Sequence, residues 1–382
     1  MERDLVVADW AVLTNEEVFD VLSQLRVDES RVALASEDVP AQITWWSPRP
    51  MSAAALVRWR RGDYFVKRHH VSVRDAPRLR VEHAFARHLR QRGQPVARVL
   101  EGADGDTVVS RGDFNYEVHE KVAGIDLYRQ HPSWYPFTSR RHAYSAGASL
   151  AHFLAAAENF SAPATPPGVL TNSQLVITSA DPLASLDGLV TSRPALARAL
   201  EDRDFDQDVH RYLLPAIAAA APSLRPVASQ WGHGDWHASN LTWTTSGPDA
   251  RVAGVFDLGL ANRTSAVHDL AVALERSVVD WLDVRDAGEV RADLDAVDAL
   301  LDGFESVRPL RGDEWTALRA LLPIVHLEFA LSEVEYFADV VTSEENTTLA
   351  YEGYLVGHTR WFDSPRGGEL LDHLERRWAF AG

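Results

Sequence analysis

A chain of 382 residues, 46% apolar and 24% charged, has enough material for two folded lobes. Its net charge of −17 excludes a nucleic-acid footprint but suits a cationic partner, and the absence of cysteine excludes disulfides and thiolate metal sites. No apolar run approaches a membrane span, and MERDLVVADW has no basic segment ahead of an apolar core, so a cytoplasmic protein with no membrane partner is expected.

Thr14-Asn15-Glu16-Glu17 has the form of a capping box, which predicts a short amphipathic helix over 14–25. Strand-like runs follow at Ile43–Trp46, Leu56–Trp59 and Tyr64–Lys67, the last two joined by a tight turn at Arg61-Gly62-Asp63. A helix from about Arg78 to Arg92 stops at Gly93, with Pro95 just beyond. Two more strands are expected at Thr107–Val109 and Tyr116–His119, and Lys121–Gly124 has the character of a connector. Long helical stretches then dominate, at about 139–160, 194–200 and 206–221, with Ser161–Gly168 as loop. A β-like island spans Trp231–Phe256, and helices resume from Val267. The expected fold class is α+β. A small antiparallel β-rich N-terminal lobe covers 1–121, and a larger helical lobe covers 122–382 with a catalytic loop at 231–257.

The island carries the chemistry. Gly232-His233-Gly234-Asp235-Trp236-His237-Ala238-Ser239-Asn240 is followed by Val255-Phe256-Asp257-Leu258-Gly259. A hairpin of Leu241–Thr244 with Arg251–Phe256 is expected to set Asn240 opposite Asp257, beside Asp235. Two hard oxygen ligands of this kind suit Mg²⁺, which binds a few protein groups plus substrate phosphates. Phosphoryl transfer also needs a base that orients the acceptor hydroxyl. Asp235 is the candidate base, and Asn240 and Asp257 are the candidate metal ligands.

These motifs resemble the catalytic and metal-binding motifs of the aminoglycoside phosphotransferase and choline kinase superfamily, relatives of the protein kinases. They are similar also to homoserine-kinase-type and bacterial stress-kinase members. The resemblance runs from about Trp45 to at least Ala271. It implies a bilobal protein-kinase-like fold and a Mg²⁺-dependent kinase with ATP or GTP as donor and a small-molecule hydroxyl as acceptor. Asp235, Asn240 and Asp257 match the family's catalytic aspartate and metal-binding pair. Asp269 also matches a family position, where it braces the catalytic loop or caps the following helix. His233 and His237 are expected to support that loop.

On the nucleotide side, Lys67 is one of only two lysines among 38 basic residues. Glu82 shares a helix stripe with Leu79, Phe85, Ala86 and Leu89, and an inward carboxylate needs a cation. Lys67 is the expected partner, as in kinases. Trp46–Ala55 holds the place of a phosphate loop without G-x-G-x-x-G, with Ser47 or Ser52 as hydroxyl donors and Ser52–Ala55 small enough for close backbone approach. Glu120-Lys121-Val122 resembles the inter-lobe hinge that binds the nucleobase, with Glu120 and Val122 as its contacts.

Acceptor recognition is expected on the helix through Pro323–Tyr336. Glu328, Ser332 and Glu335 share one face there, and His326, Glu333 and Tyr336 lie near another. An acidic face of this kind suits an aminoglycoside, an amino sugar or a quaternary amine; an amino alcohol and a nucleoside antibiotic are further candidate acceptors. Asp269 follows Asp257 by only 12 positions, too few for a phosphorylatable activation loop, and Gly234 replaces the arginine of the protein-kinase H-R-D motif. A stress-type protein Ser/Thr kinase and a non-catalytic pseudokinase are the alternatives. A monomer or a homodimer fits equally.

Overall fold

The computed structural model describes residues 9–26, 40–281 and 290–381. The chain forms two compact units, Met1–Ala123 and Gly124–Gly382.

The first unit begins with helix α1 (Asn15–Leu22), closed by the expected capping box: Thr14 Oγ1 accepts the Glu17 N–H, and Glu17 accepts the Thr14 N–H. Strands β1 (Gln42–Trp46), β2 (Ala53–Trp59) and β3 (Gly62–His70) form a meander. Helix α2 (Ala76–Gln91), capped by Asp75, then leads to β4 (Val109–Arg111) and β5 (Phe114–Glu120). The sheet is antiparallel in the order β1-β2-β3-β5-β4. Alternation along each strand gives it two unlike faces. One carries Val57, Tyr64, Val66, Tyr116 and Val118, which pack with Val18, Val21 and Leu22 of α1. On the other face Lys67 stands opposite Glu117 in the β3–β5 ladder, and His83 of α2 reaches the same Glu117.

Two details depart from the sequence reading. The β2–β3 turn is Arg60-Arg61, because Trp59 already pairs with Gly62, and Arg60 takes the left-handed conformation (φ 52°). Ala53–Ala55, expected in a phosphate loop, belong to β2 and pair with Arg68, Lys67 and Val66. Their small side chains are buried, so only 47–52 remains as loop.

The second unit contains α3 (Arg140–Ala157), α4 (Pro182–Thr191), α5 (Pro194–Glu201) and α6 (Leu214–Leu224). Next come β6 (Ser229–Gly232), β7 (Leu241–Trp243), β8 (Val252–Val255) and β9 (Asn262–Ser265). The unit closes with α7 (Ala266–Val278), α8 (Leu294–Glu305), α9 (Gly312–Leu321), α10 (Leu327–Glu335), α11 (Gly357–Phe362) and α12 (Pro365–Ala381). Two small ladders, β6 with β9 and β7 with β8, bracket the loop that carries Asp235. The sequence reading had missed β9 and α4. Asn262-Arg263-Thr264-Ser265 is too polar to stand out as a strand, yet three of its four side chains are buried against β6. Helix α7 is buried along its whole length, so each polar residue on it must find an internal partner. Among the described residues no helix is long and apolar enough to cross a membrane.

Candidate active site

The site is built on the turn that follows β6. Gly234 has φ 73°, and a Cβ there would lie 2.1 Å from the Leu260 carbonyl oxygen, so only glycine fits. A Cβ on Gly232 would fall 1.6 Å from Asp269 Oδ2. That close approach lets Asp269, fully buried in the first turn of α7, accept the Gly234 N–H through Oδ1 at 2.7 Å. Asp269 does not cap its helix. Ser265 does, its hydroxyl accepting the His268 N–H, which leaves the carboxylate for the loop. Burial pushes the Asp269 carboxyl up to about 7, against the pull of the Gly234 and His233 amides.

His233 ties the loop to the end of β8. Its Nε2–H donates to the Phe256 carbonyl at 3.0 Å, and its Nδ1 accepts the Asp235 N–H at 3.2 Å. With both ring nitrogens committed the imidazole is neutral, and burial lowers its pKa to about 4. His237 packs beneath the loop, with Nδ1 3.0 Å from Ser239 Oγ and Nε2 3.3 Å from Asp235 Oδ1. Asn240 donates from Nδ2 to both the main-chain oxygen and Oδ2 of Asp235, each at 2.9 Å. This fixes the aspartate and turns the Asn240 amide oxygen away from it.

The hairpin register is one residue off the expected pairing at Leu241 and Thr242 and two off at Trp243. Leu241 pairs with Val255, Thr242 with Gly254 and Trp243 with Val252, with a bulge between the last two pairs. Asn240 is therefore opposite Phe256, whose N–H it accepts at 3.2 Å, and not opposite Asp257. A one-residue slip reverses the face of every side chain. Asp257 lies just past the ladder in the left-handed conformation (φ 62°), an uncommon position for aspartate, and that turn sets where its carboxylate points.

Arg276 is the residue that sequence reasoning missed. It lies seven positions after Asp269 on α7 and is 1% exposed. It forms an ion pair with Asp235 Oδ1. Its guanidinium lies 4.6 Å from the Trp134 ring centroid and 4.9 Å from that of Phe329. It has no separate signal in the sequence, because it shares a polar face of α7 with His268, Asp269 and Glu275.

Most of the expected acceptor residues have structural duties. Glu328 accepts the Val176 N–H at 2.7 Å and the Ser173 hydroxyl, and Glu335 pairs with Arg193. The Ser332 hydroxyl returns to the Phe329 carbonyl, His326 Nε2 lies 3.1 Å from the Leu355 carbonyl, and Tyr336 is core. Glu333 differs: it is 7% exposed and its carboxylate has no hydrogen-bond or ion-pair partner among the described residues. Burial, with repulsion from Glu275, raises it to about 8 despite the attraction of Arg276. A carboxyl raised in the folded state stabilises fully only below its ordinary range near 4.5 and loses that contribution as pH climbs to 8. Glu333→Gln should therefore gain on wild type in thermal midpoint between pH 5 and 8. A difference that stays constant across that interval would show that this carboxyl does not titrate there.

In the first unit, Glu82 is buried but is not held by Lys67. Its Oε2 accepts from Arg74 at 2.8 Å and its Oε1 from Arg78 at 3.1 Å. Arg78 precedes it by one helical turn and Arg74 sits just ahead of the helix, so both cations are supplied locally, one to each carboxylate oxygen. Ser47 Oγ accepts the Arg49 N–H in the β1–β2 loop, and Ser52 closes that loop. Glu120 pairs with Arg98 at 3.4 Å, and Val122 lies half-buried just past β5.

A family-wide sequence profile, that of the phosphotransferase enzyme family, matches residues 51–310, more than half of the chain. The protein belongs to this family. No curated protein matches the sequence. Solved structures share the fold. The amicoumacin kinase hAmiN, in complex with AMP-PNP, Ca²⁺ and amicoumacin, aligns over 91% of this chain and 94% of its own at 12% identity and TM-score 0.58. A microcompartment-associated aminopropanol kinase aligns over 89% and 98% at 18% identity and TM-score 0.53. An aminoglycoside phosphotransferase from Alicyclobacillus acidocaldarius subsp. acidocaldarius DSM 446 aligns over 93% and 97% at 19% identity and TM-score 0.50. The chain is thus a phosphotransferase-family protein on an α+β protein-kinase-like fold.

Proposed function

We propose that the protein is a Mg²⁺-dependent kinase that moves the γ-phosphate of ATP or GTP onto a hydroxyl of an amine-bearing small molecule: an aminoglycoside, an amino sugar or an amino alcohol. The observation that carries this reading is the clamp of Asn240 on Asp235. It presents a carboxylate of fixed orientation to the acceptor hydroxyl. Asp235 orients the hydroxyl and takes its proton as the oxygen bonds to the γ-phosphorus and the bond to the nucleoside diphosphate breaks. The amide oxygen of Asn240 and the carboxylate of Asp257 are hard oxygen donors and fit Mg²⁺. When bound, that ion neutralises the triphosphate oxygens. Lys67 is assigned to the donor phosphates, and the backbone around Glu120–Val122 to the nucleobase. Glu333 is assigned to the acceptor's ammonium, because it is the acidic group of α10 without another partner.

The direct test is acceptor-dependent consumption of Mg·ATP and Mg·GTP across aminoglycosides, amino sugars, amino alcohols, nucleoside antibiotics and homoserine. Phosphate-ester products would be identified by mass. The expected result is turnover confined to amine-bearing alcohols, and consumption that never depends on an acceptor would overturn the reading. Asp257→Ala should weaken Mg·nucleotide binding in calorimetry, and an unchanged isotherm would remove Asp257 from the metal site.

A further inference from the structure

Two groups of imidazole and carboxylate side chains lie close enough to share an ion, counting described residues only. The one in the first unit is complete without an ion: Glu117 receives ring nitrogens from His69, His83 and His119 at 3.0, 2.8 and 2.9 Å. The one in the second unit is not. Glu275 on α7, His326 just ahead of α10 and His358 on α11 each offer one ligand atom, all within 4.8 Å of one another. They are 1%, 2% and 5% exposed.

Two acceptor atoms in this group lack hydrogen-bond partners. His326 Nε2 lies 3.1 Å from the Leu355 carbonyl, and because a carbonyl only accepts, Nε2 carries the hydrogen and Nδ1 the lone pair. That Nδ1 is buried without a hydrogen-bond partner, and so is Glu275 Oε2. The other Glu275 oxygen meets His358 Nδ1. Outer contacts hold the set in place. Trp281 stacks on His358 at 3.5 Å and donates its indole N–H to the Glu275 carbonyl at 2.6 Å. A buried acceptor left without a donor or a cation is destabilising. Two of them beside a carboxylate–imidazole pair call for a cation. Two imidazoles and one carboxylate form a ligand set for zinc-class ions, whereas Mg²⁺ prefers oxygen alone. A backbone carbonyl that fixes the tautomer of His326 is the usual support of a metal-binding histidine.

We propose that Glu275, His326 and His358 form a binding site for a zinc-class divalent ion, distinct from the Mg²⁺ site assigned to Asn240 and Asp257. The ion would pin α7 to the C-terminal helices. It would also satisfy Glu275, whose Oε2 lies 3.8 Å from Arg276 Nε, so that the guanidinium stays committed to Asp235.

The test uses full-length protein made without a histidine tag, stripped with a chelator and titrated with Co²⁺ in excess Mg²⁺. The expected result is stoichiometric uptake with visible absorption bands of low-coordinate Co²⁺, displacement by Zn²⁺, and a higher thermal midpoint with Zn²⁺ than with Mg²⁺ alone. Asp257→Ala should bind Co²⁺ as wild type does, and His326→Ala should lose the bands. Because a core substitution can disturb folding, the wild-type spectrum is decisive by itself: no bands and no retained zinc would overturn the proposal. Bands that survive His326→Ala in folded protein would overturn it as well. Neither readout involves phosphoryl transfer, so failure here is separable from failure of the kinase reading.

Discussion

Asp235→Asn is expected to lower turnover by about two to four orders of magnitude, the usual contribution of a positioned general base, with nucleotide affinity nearly unchanged. Asparagine is the informative replacement. It keeps the shape and one acceptor oxygen for Asn240, whereas alanine removes both; either replacement leaves Arg276 buried without its anion, a loss of about 3–5 kcal/mol in stability that has to be measured alongside turnover. Steady-state kinetics together with nucleotide calorimetry checks the expectation. Turnover within a few-fold of wild type would remove Asp235 from the base role, and a parallel loss of nucleotide binding would point to a structural cause.

Gly234→Ala should have the second largest effect. The residue must accept a left-handed conformation that costs alanine about 1–3 kcal/mol, and its new Cβ would meet the Leu260 oxygen at 2.1 Å. That oxygen belongs to backbone, so the loop has to move. Movement would break the Asp269 bond to the Gly234 N–H and the Asn172 amide bond to the Gly234 carbonyl. A fall in the urea midpoint should accompany a loss of turnover, because Asp235 is the next residue. An unchanged midpoint with full activity would show that the turn tolerates a side chain.

What was legible in the sequence was what local chemistry dictates. The capping box at Thr14–Glu17, the helix that ends at Gly93 and the Asp235–Asn240 spacing each follow from short-range rules. What was not legible depends on partners distant in sequence. Nothing near Glu82 says that it will choose Arg74 and Arg78 over a strand lysine, because burial decides which cation is closest. The hairpin register was not legible because nothing in its residues marks where the turn closes or where the bulge falls. Arg276 was invisible for a related reason. His268, Asp269, Glu275 and Arg276 share one polar face of α7 that has the look of a solvated face, although the fold buries it.

The sheet of the first unit also bears on solubility. Its outermost strands, β1 and β4, are the places where another chain could add on by backbone pairing. Strand β1 is bulged between Ile43 and Trp45, and the Ile43 N–H is already taken by the Asn15 side chain at 2.9 Å. Strand β4 spans only three residues and ends at Arg111, which is paired with Asp20. Both rims are poor templates for an incoming strand, which protects an open sheet of this kind from intermolecular zippering.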